Sequence, residues 1–240
     1  SAIELPANVT IRGEVDANGN NLAKLKFNHN NAWADSLTFH GSAGPTQAMS
    51  AANMHDTQIT VTDGSVFAVG DFAEVWQDDD PSWDYADSNS WAVHCERQVV
   101  KITAVSGNVL TLEQELRANY VAGRYPEIRK ITPKTGVGIL NLNIERADPA
   151  DPAGGSLIHC EFAANCLIQG VDSYKCDQRH VELYDSTKIT ITGCYFHEAY
   201  GYGGGGSGYG VEPSCGSGEV RVENNIFRKL RHAMLMQWGS

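Results

Sequence analysis

A segment of eight residues recurs four times in the second half of the chain with the same phase of apolar side chains: ILNLNIER from Ile139, IQGVDSYK from Ile168, ITGCYFHE from Ile191 and VENNIFRK from Val222. The starts lie 29, 23 and 31 residues apart, so length varies only in the connections. A unit of this size buries its apolar face only by stacking on neighbours, which is the condition that produces a solenoid. Each segment leads into a second run, SLIHCEF, HVELYDS, YGVEPSC or HAMLMQW, and each has Asn or Gly at its bend: Asn141, Gly170, Gly193 and Asn224. Those residue types tolerate the left-handed backbone that a tight corner needs. Short strands, uneven loops and such corners describe an all-β chain wound as a parallel β-helix over residues 136–240.

Residues 1–135 read as an irregular, β-rich part of the same solenoid with loop insertions. Alternating runs fall at 3–5, 9–12, 22–27, 36–40, 58–62, 72–77, 98–104 and 109–113, and Ser106-Gly107-Asn108 joins the last two as a hairpin. The acidic stretch DDDPSWDYAD at 78–87 is an exposed loop, read either as a solvated surface or as a calcium or sugar contact, because hard cations take clustered oxygen ligands. Glycine at 24 of 240 residues exceeds the usual share of about 7% and suits turn-rich β structure. With 18 Lys and Arg against 29 Asp and Glu, the net charge of −11 argues against a nucleic-acid partner, whose phosphates call for a basic surface. No run approaches the roughly 18 apolar residues of a membrane span.

Aligned residues on successive coils of a β-helix lie about 4.8 Å apart, so the repeat turns the sequence into columns. Val181, Val211 and Ala233 form one inward column, and Leu183, Pro213 and Leu235 another. Between them an outward column reads Ile158 or His159, then Glu182, Glu212 and Met234. Two carboxylates so placed repel, and one should take up a proton or recruit a cation, providing an acid and a base together. Glu182 and Glu212 are thus the candidate catalytic carboxylates; the alternative is that they are solvated or paired with Arg179. Arg179-His180 recurs as Arg231-His232, with Tyr209-Gly210 on the coil between, where glycine would leave room for a sugar between two cationic edges. His180, His232 and Arg231 join the catalytic set as proton carriers and anion clamp, and Arg179 the binding set, unless all four only brace turns. A further column, Glu145, Tyr174, His197 and Arg228, adds His197 and Arg228 to the binding set. The loop AYGYGGGGSGY at 199–209 lacks the helix and Lys-Ser/Thr ending of a phosphate-binding loop. It is either a lid whose Tyr202 and Tyr209 stack on sugars or a plain bulge.

The motifs LPANVTIRGE, SVFAVGDFAEV, DSTKITITGCYFHEA, GSGYGVE and VRVENNIFRKLRHAML resemble the right-handed parallel β-helix proteins of the pectate-lyase-like superfamily. The resemblance implies a secreted, extracellular or cell-surface protein, bacterial or phage-borne, acting on polysaccharide as a lyase, hydrolase or epimerase. It also implies Ca2+ as the one possible cofactor, although residues 136–240 hold no clear carboxylate cluster for it. Because one fold hosts many chemistries, two readings stay open: a polysaccharide-acting enzyme, and a structural, adhesive or glycan-binding β-helix without catalysis.

Six cysteines, at 95, 160, 166, 176, 194 and 215, permit up to three disulfides and include no CxxC metal spacing. Cys160 and Cys194 fall in inward columns as small buried residues; Cys166, Cys176 and Cys215, at bends, are the disulfide candidates. The chain starts at Ser1 without a signal-like segment, and its last coil ends at Gly239-Ser240 without a cap. A solenoid end needs cover, so the expectation is a processed piece whose open end meets further chain or a second copy.

Overall fold

The computed structural model describes residues 2–82, 93–150, 154–201 and 206–237. Each coil contributes one strand to each of three parallel sheets. The first sheet stacks Ile3–Glu4, Leu37–His40, Ser156–Glu161, Arg179–Tyr184, Tyr209–Ser214 and His232–Met234. The second stacks Thr10–Arg12, Gly138–Leu140, Ala163–Gln169, Thr187–Thr192 and Arg221–Glu223. The third stacks Lys24–Phe27, Asn143–Arg146, Asp172–Cys176, Tyr195–Ala199 and Ile226–Arg228. Ile139, Ile168, Ile191 and Val222 pair in one column, as the repeat requires, and Ile11 extends it backwards. Asn141, Gly170, Gly193 and Asn224 turn the second sheet into the third with φ of 54°, 64°, 64° and 55°. The lumen is filled by Leu37, Phe39, Ile144, Ile158, Val181, Leu183, Phe196 and Val211 among others. Burial of each such side chain contributes roughly 1.5–3 kcal/mol.

Residues 42–132 leave the helix at the corner between the first-sheet strand Leu37–His40 and the second-sheet strand Gly138–Leu140 of the same turn. They form six antiparallel strands in the order Ser42–Ala48, Glu127–Thr132, Phe72–Trp76, Arg97–Ser106, Val109–Leu112 and Gln58–Thr60. A bridge between Met49 and Val61 ties the last of these back to the first. The body has its own core, including Ile59, Val75, Val100, Ile102, Leu110, Leu116, Tyr120 and Ile128. The hairpin at Gly107 is present, with Ser106 opposite Val109. The exit point is tight: a Cβ on Gly41 would stand 2.4 Å from the Phe162 carbonyl and 2.6 Å from that of Thr132. Phe72, Val99 and Ile131 pack on Phe162 and Ala164 of the coils. Arg117 donates to the carbonyls of Ser217 at 3.1 Å and Gly216 at 3.2 Å, and the Gly216 carbonyl also accepts the Val99 N–H, so the inserted body is bonded to that corner.

Two expectations need correction. In the last coil Met234, not Ala233, lies opposite Val211, and His232 lies opposite Tyr209. From the Tyr174–Arg228 column to the Arg179–His232 column the third coil uses five residues and the fifth only four, so the final strand slips by one and its side chains change face. All six cysteines are free thiols; Cys160, Cys166, Cys176, Cys194 and Cys215 are buried, and Cys95 is half-buried. Burial pushes the Cys95 and Cys194 thiols up to about 11, so they pack as small apolar groups.

Candidate functional site

The outward face of the first sheet carries the carboxylate column, and its register is now fixed. Thr38, His159, Glu182 and Glu212 stand opposite one another on successive coils, with His159 rather than Ile158 facing out. Glu182 and Glu212 do not share a proton. Arg179 lies between them, its Nε and Nη2 donating to Glu212 at 2.5 and 3.0 Å while its Nη1 stands 3.4 Å from Glu182. Gln237 donates to Glu212 as well, and Glu212 is fully buried. Burial pushes the Glu212 carboxyl up, with Arg179 pulling against it. Glu182 reaches the edge of the face, 8% exposed, and accepts from the Ser156 hydroxyl at 2.8 Å. Next to it Asp35 accepts from His159 Nδ1 at 2.8 Å and from the Ser156 N–H at 2.7 Å. Burial alone would raise Asp35, but these bonds hold it below the usual carboxylate range.

His180 is not on this surface. It lies wholly inside the coil, its Nδ1 2.7 Å from the Ser173 hydroxyl and its ring against Phe196. Burial depresses it to about 3, so it stays neutral and no substrate reaches it. Gly210 leaves no room for a sugar, because a Cβ there would meet the Ala233 carbonyl at 2.2 Å and the Phe227 ring at 2.8 Å. Arg179, Tyr209 and His232 share a column, so Arg231-His232 is offset from Arg179-His180 by one residue. His232 stacks on Tyr209 at 5.5 Å and the Arg231 guanidinium lies 6.0 Å from the same ring. Tyr209 is itself buried and accepts from the Gly206 N–H, which makes it a packing residue rather than a platform. Tyr202 lies outside the described residues.

The third sheet presents the second expected column as read: Lys26, Glu145, Tyr174, His197 and Arg228 are opposite one another in turn. Beside it run Lys24, Asn143, Asp172, Tyr195 and Ile226. His197 Nε2 and Asp172 Oδ1 are 2.8 Å apart. The Tyr195 ring lies flat on His197, centroids 4.0 Å apart and planes 3° from parallel, and Tyr174 follows at 5.0 Å. Glu145 is held by Lys24 and Lys26, whose ammonium groups keep it below the usual carboxylate range despite burial. A groove of about 240 Å³ runs between Lys24, Glu145, Asp172, Tyr174 and His197. An adjoining one of about 430 Å³ is lined by Asn20, Asn21, Asn141, Asn143 and Tyr195.

Among the described residues, the side chains that converge as metal ligands are His40, His159 and Glu161, and Asp35, His159 and Glu182. Neither is the all-oxygen set that calcium prefers. In the acidic loop, Asp79 accepts from the N–H groups of His94 and Cys95, and Asp80 from Ser82 while lying 3.3 Å from Arg124. The sequence reading missed Asp35, His40, Asp172 and Tyr195. Asp172 and Tyr195 were within reach, since they stand in the column next to one already read. Asp35 and His40 come before Ile139, on a stretch whose register the repeat from Ile139 onward does not set.

The family described as right handed beta helix region matches residues 94–240. The tailspike gp61 of Pseudomonas phage phi297 shares 10% identity and superposes with a TM-score of 0.65 over 96% of this chain and 37% of its own. The Gp54 tailspike of Acinetobacter baumannii bacteriophage AP22, solved in complex with A. baumannii capsular saccharide, shares 15% identity with a TM-score of 0.49 over 94% of this chain and 44% of its own. This chain therefore spans well under half the length of either. No curated protein matches it by sequence. Three parallel sheets stacked in the register of the repeat, with a family match over more than half the chain, make this protein a member of the right-handed β-helix family.

Proposed function

We propose that the chain binds an extended polysaccharide in an extracellular setting and that the sugars lie along the outward face of the third sheet. The observation that carries this reading is the aromatic ladder of Tyr174, His197 and Tyr195, with the flat Tyr195–His197 stack at its centre. Pyranose rings present an apolar C–H face, which packs on aromatic rings, and a polar edge of hydroxyls, which needs donors and acceptors nearby. Asp172, Lys24, Lys26 and Arg228 supply those around the ladder, and the coils repeat at about 4.8 Å, so a linear polymer can run across several of them. The cationic ends suit a glycan that bears acidic groups.

A second reading is enzymatic, and the cluster of Asp35, His159, Ser156 and Glu182 on the first sheet favours it. It pairs a carboxylate-oriented imidazole with a carboxylate at the edge of the face, the parts of a lyase or hydrolase site. Glu212 serves there as a brace for Arg179 rather than as a reacting group.

One experiment addresses both. A panel of capsular, uronic-acid and neutral polysaccharides is screened for retention in affinity electrophoresis and, in the same samples, for unsaturated products and new reducing ends. Tyr174→Ala and Tyr195→Ala should each weaken retention about 3- to 10-fold, the worth of one aromatic contact. Full retention by the double variant, with native circular dichroism, would refute the third-sheet reading. Product formation abolished by Glu182→Gln would establish the enzymatic one.

A further inference from the structure

On the first sheet, beside the carboxylate column, two imidazoles and a carboxylate meet and leave one nitrogen of each ring buried without a hydrogen bond. His40 lies directly opposite Glu161 on the next coil, and His159 stands two residues before Glu161 on the same strand. All three side chains leave the sheet on its outer face, and their ligand atoms lie within 4.8 Å of one another. The rings of His40 and His159 meet edge to face at 4.8 Å. Nε2 of His40 and Nε2 of His159 are both shielded from solvent, and neither has a hydrogen-bond partner. A buried polar nitrogen without a partner is uncommon, and two in one cluster are more so.

The other nitrogen of each ring explains the orientation. His159 Nδ1 is bonded to Asp35 at 2.8 Å. His40 Nδ1 faces Glu4 at 3.9 Å, and the same carboxylate accepts the His40 backbone N–H at 3.0 Å. Each carboxylate faces an Nδ1 and leaves the Nε2 lone pair turned inward. An acidic partner on the remote nitrogen is the usual second shell of a metal-binding histidine, fixing its tautomer and raising its basicity.

We propose that His40, His159 and Glu161 bind one divalent transition-metal ion of the zinc class, with Asp35 orienting the His159 imidazole and the Glu4 carboxylate standing near the far nitrogen of His40. Two imidazoles and one carboxylate are a donor set for zinc and its neighbours, and three protein ligands leave a fourth position for water or an oxygen of a bound molecule. Bonds of about 2.0–2.1 Å in a tetrahedron place the two nitrogens about 3.3 Å apart. The ligand atoms close to that distance by side-chain rotation, which the partly exposed His40 ring permits. The site lies on a different sheet from the aromatic ladder, so it stands or falls independently of glycan binding there.

The test is titration of the 240-residue chain, stripped with EDTA, by ZnCl2 in a calorimeter and by CoCl2 in a spectrophotometer. The expected result is a single equivalent bound, with visible cobalt bands of four-coordinate intensity. His40→Ala and Glu161→Gln should each lower affinity by more than the roughly 10- to 100-fold that loss of an outer-shell partner costs. His55→Ala should not, since that exposed histidine bonds Glu115 on the inserted body. If His159→Ala does not fold, the His40 and Glu161 variants, checked by circular dichroism, carry the test alone. No saturable binding, or undiminished binding by the His40→Ala/Glu161→Gln double variant, would overturn the proposal, as would displacement of zinc by an equal concentration of Ca2+.

Discussion

His180 should make the protein acid-sensitive in a way that one substitution removes. The ring is wholly buried and depressed to about 3, against about 6.5 for an exposed histidine. Between those values the unfolded chain binds a proton and the folded one does not, so stability is complete above pH 6.5 and is lost as pH falls. Integrating the linkage from pH 7 to pH 5 gives a loss of about 2 kcal/mol from this single group. His180→Leu keeps most of the bulk beside Phe196 and removes the titration. It leaves the Ser173 hydroxyl without its partner, a cost of about 1 kcal/mol that is the same at both pH values and cancels in the comparison. Urea unfolding of wild type and variant at pH 7 and pH 5 isolates the effect: the wild type should lose about 2 kcal/mol more than the variant, or about 4–8 °C in Tm. The ring C–H proton resonances of His180 should also stay fixed over that range. Equal losses in the two proteins, or a titrating resonance with a midpoint near 6, would show that the ring reaches solvent and restore it as a proton carrier.

Arg179→Met strands the fully buried Glu212 and should cost about 3–5 kcal/mol, read as a fall in Tm on the order of 10 °C, with most of it regained in Arg179→Met/Glu212→Leu. A loss under about 1 kcal/mol would mean that Glu212 is solvated after all. Gly210→Ala forces a methyl group to within 2.2 Å of the Ala233 carbonyl and should destabilise by about 1–3 kcal/mol in urea unfolding; an unchanged midpoint would mean that the last coil is not seated as described.

Whatever the repeat governs was legible in the sequence. Ile139, Ile168, Ile191 and Val222 share a column because each must bury the same face against the previous coil, and reading that constraint also placed Glu145, Tyr174, His197 and Arg228 correctly. The register failed where the constraint weakens. In the coil of His232 the connection 229–231 closes one residue sooner than the repeat suggests, so His232 stands in the column of Arg179. His180 misled for another reason: at the corner between Cys176 and Val181 strict alternation breaks, and two successive side chains, His180 and Val181, both point inward. Polar character then says little about which face a residue takes, because the Ser173 hydroxyl meets one ring nitrogen inside the lumen while Nε2 is buried without a partner.

The inserted body accounts for the part of the site that no column could show. His40 and His159 lie on adjacent coils, yet residues 42–132 stand between them in sequence, far beyond the spacing at which the repeat compares residues. Their strands stay in register across the insertion, which is fastened to neighbouring coils. Arg97 reaches Asp185 at 3.1 Å and the Tyr184 hydroxyl at 3.2 Å, and the Arg129 guanidinium lies 5.3 Å from the Phe162 ring. Burial and the neighbouring Glu74 push the Asp185 carboxyl up, so Arg97 is needed to keep that pair of acids at the seam. A solenoid can thus open one corner to admit a second body while the coils on either side stay stacked. Side chains from the two banks of such a seam can then meet without any sequence repeat announcing it, and here they are His40 on one bank and His159 with Glu161 on the other.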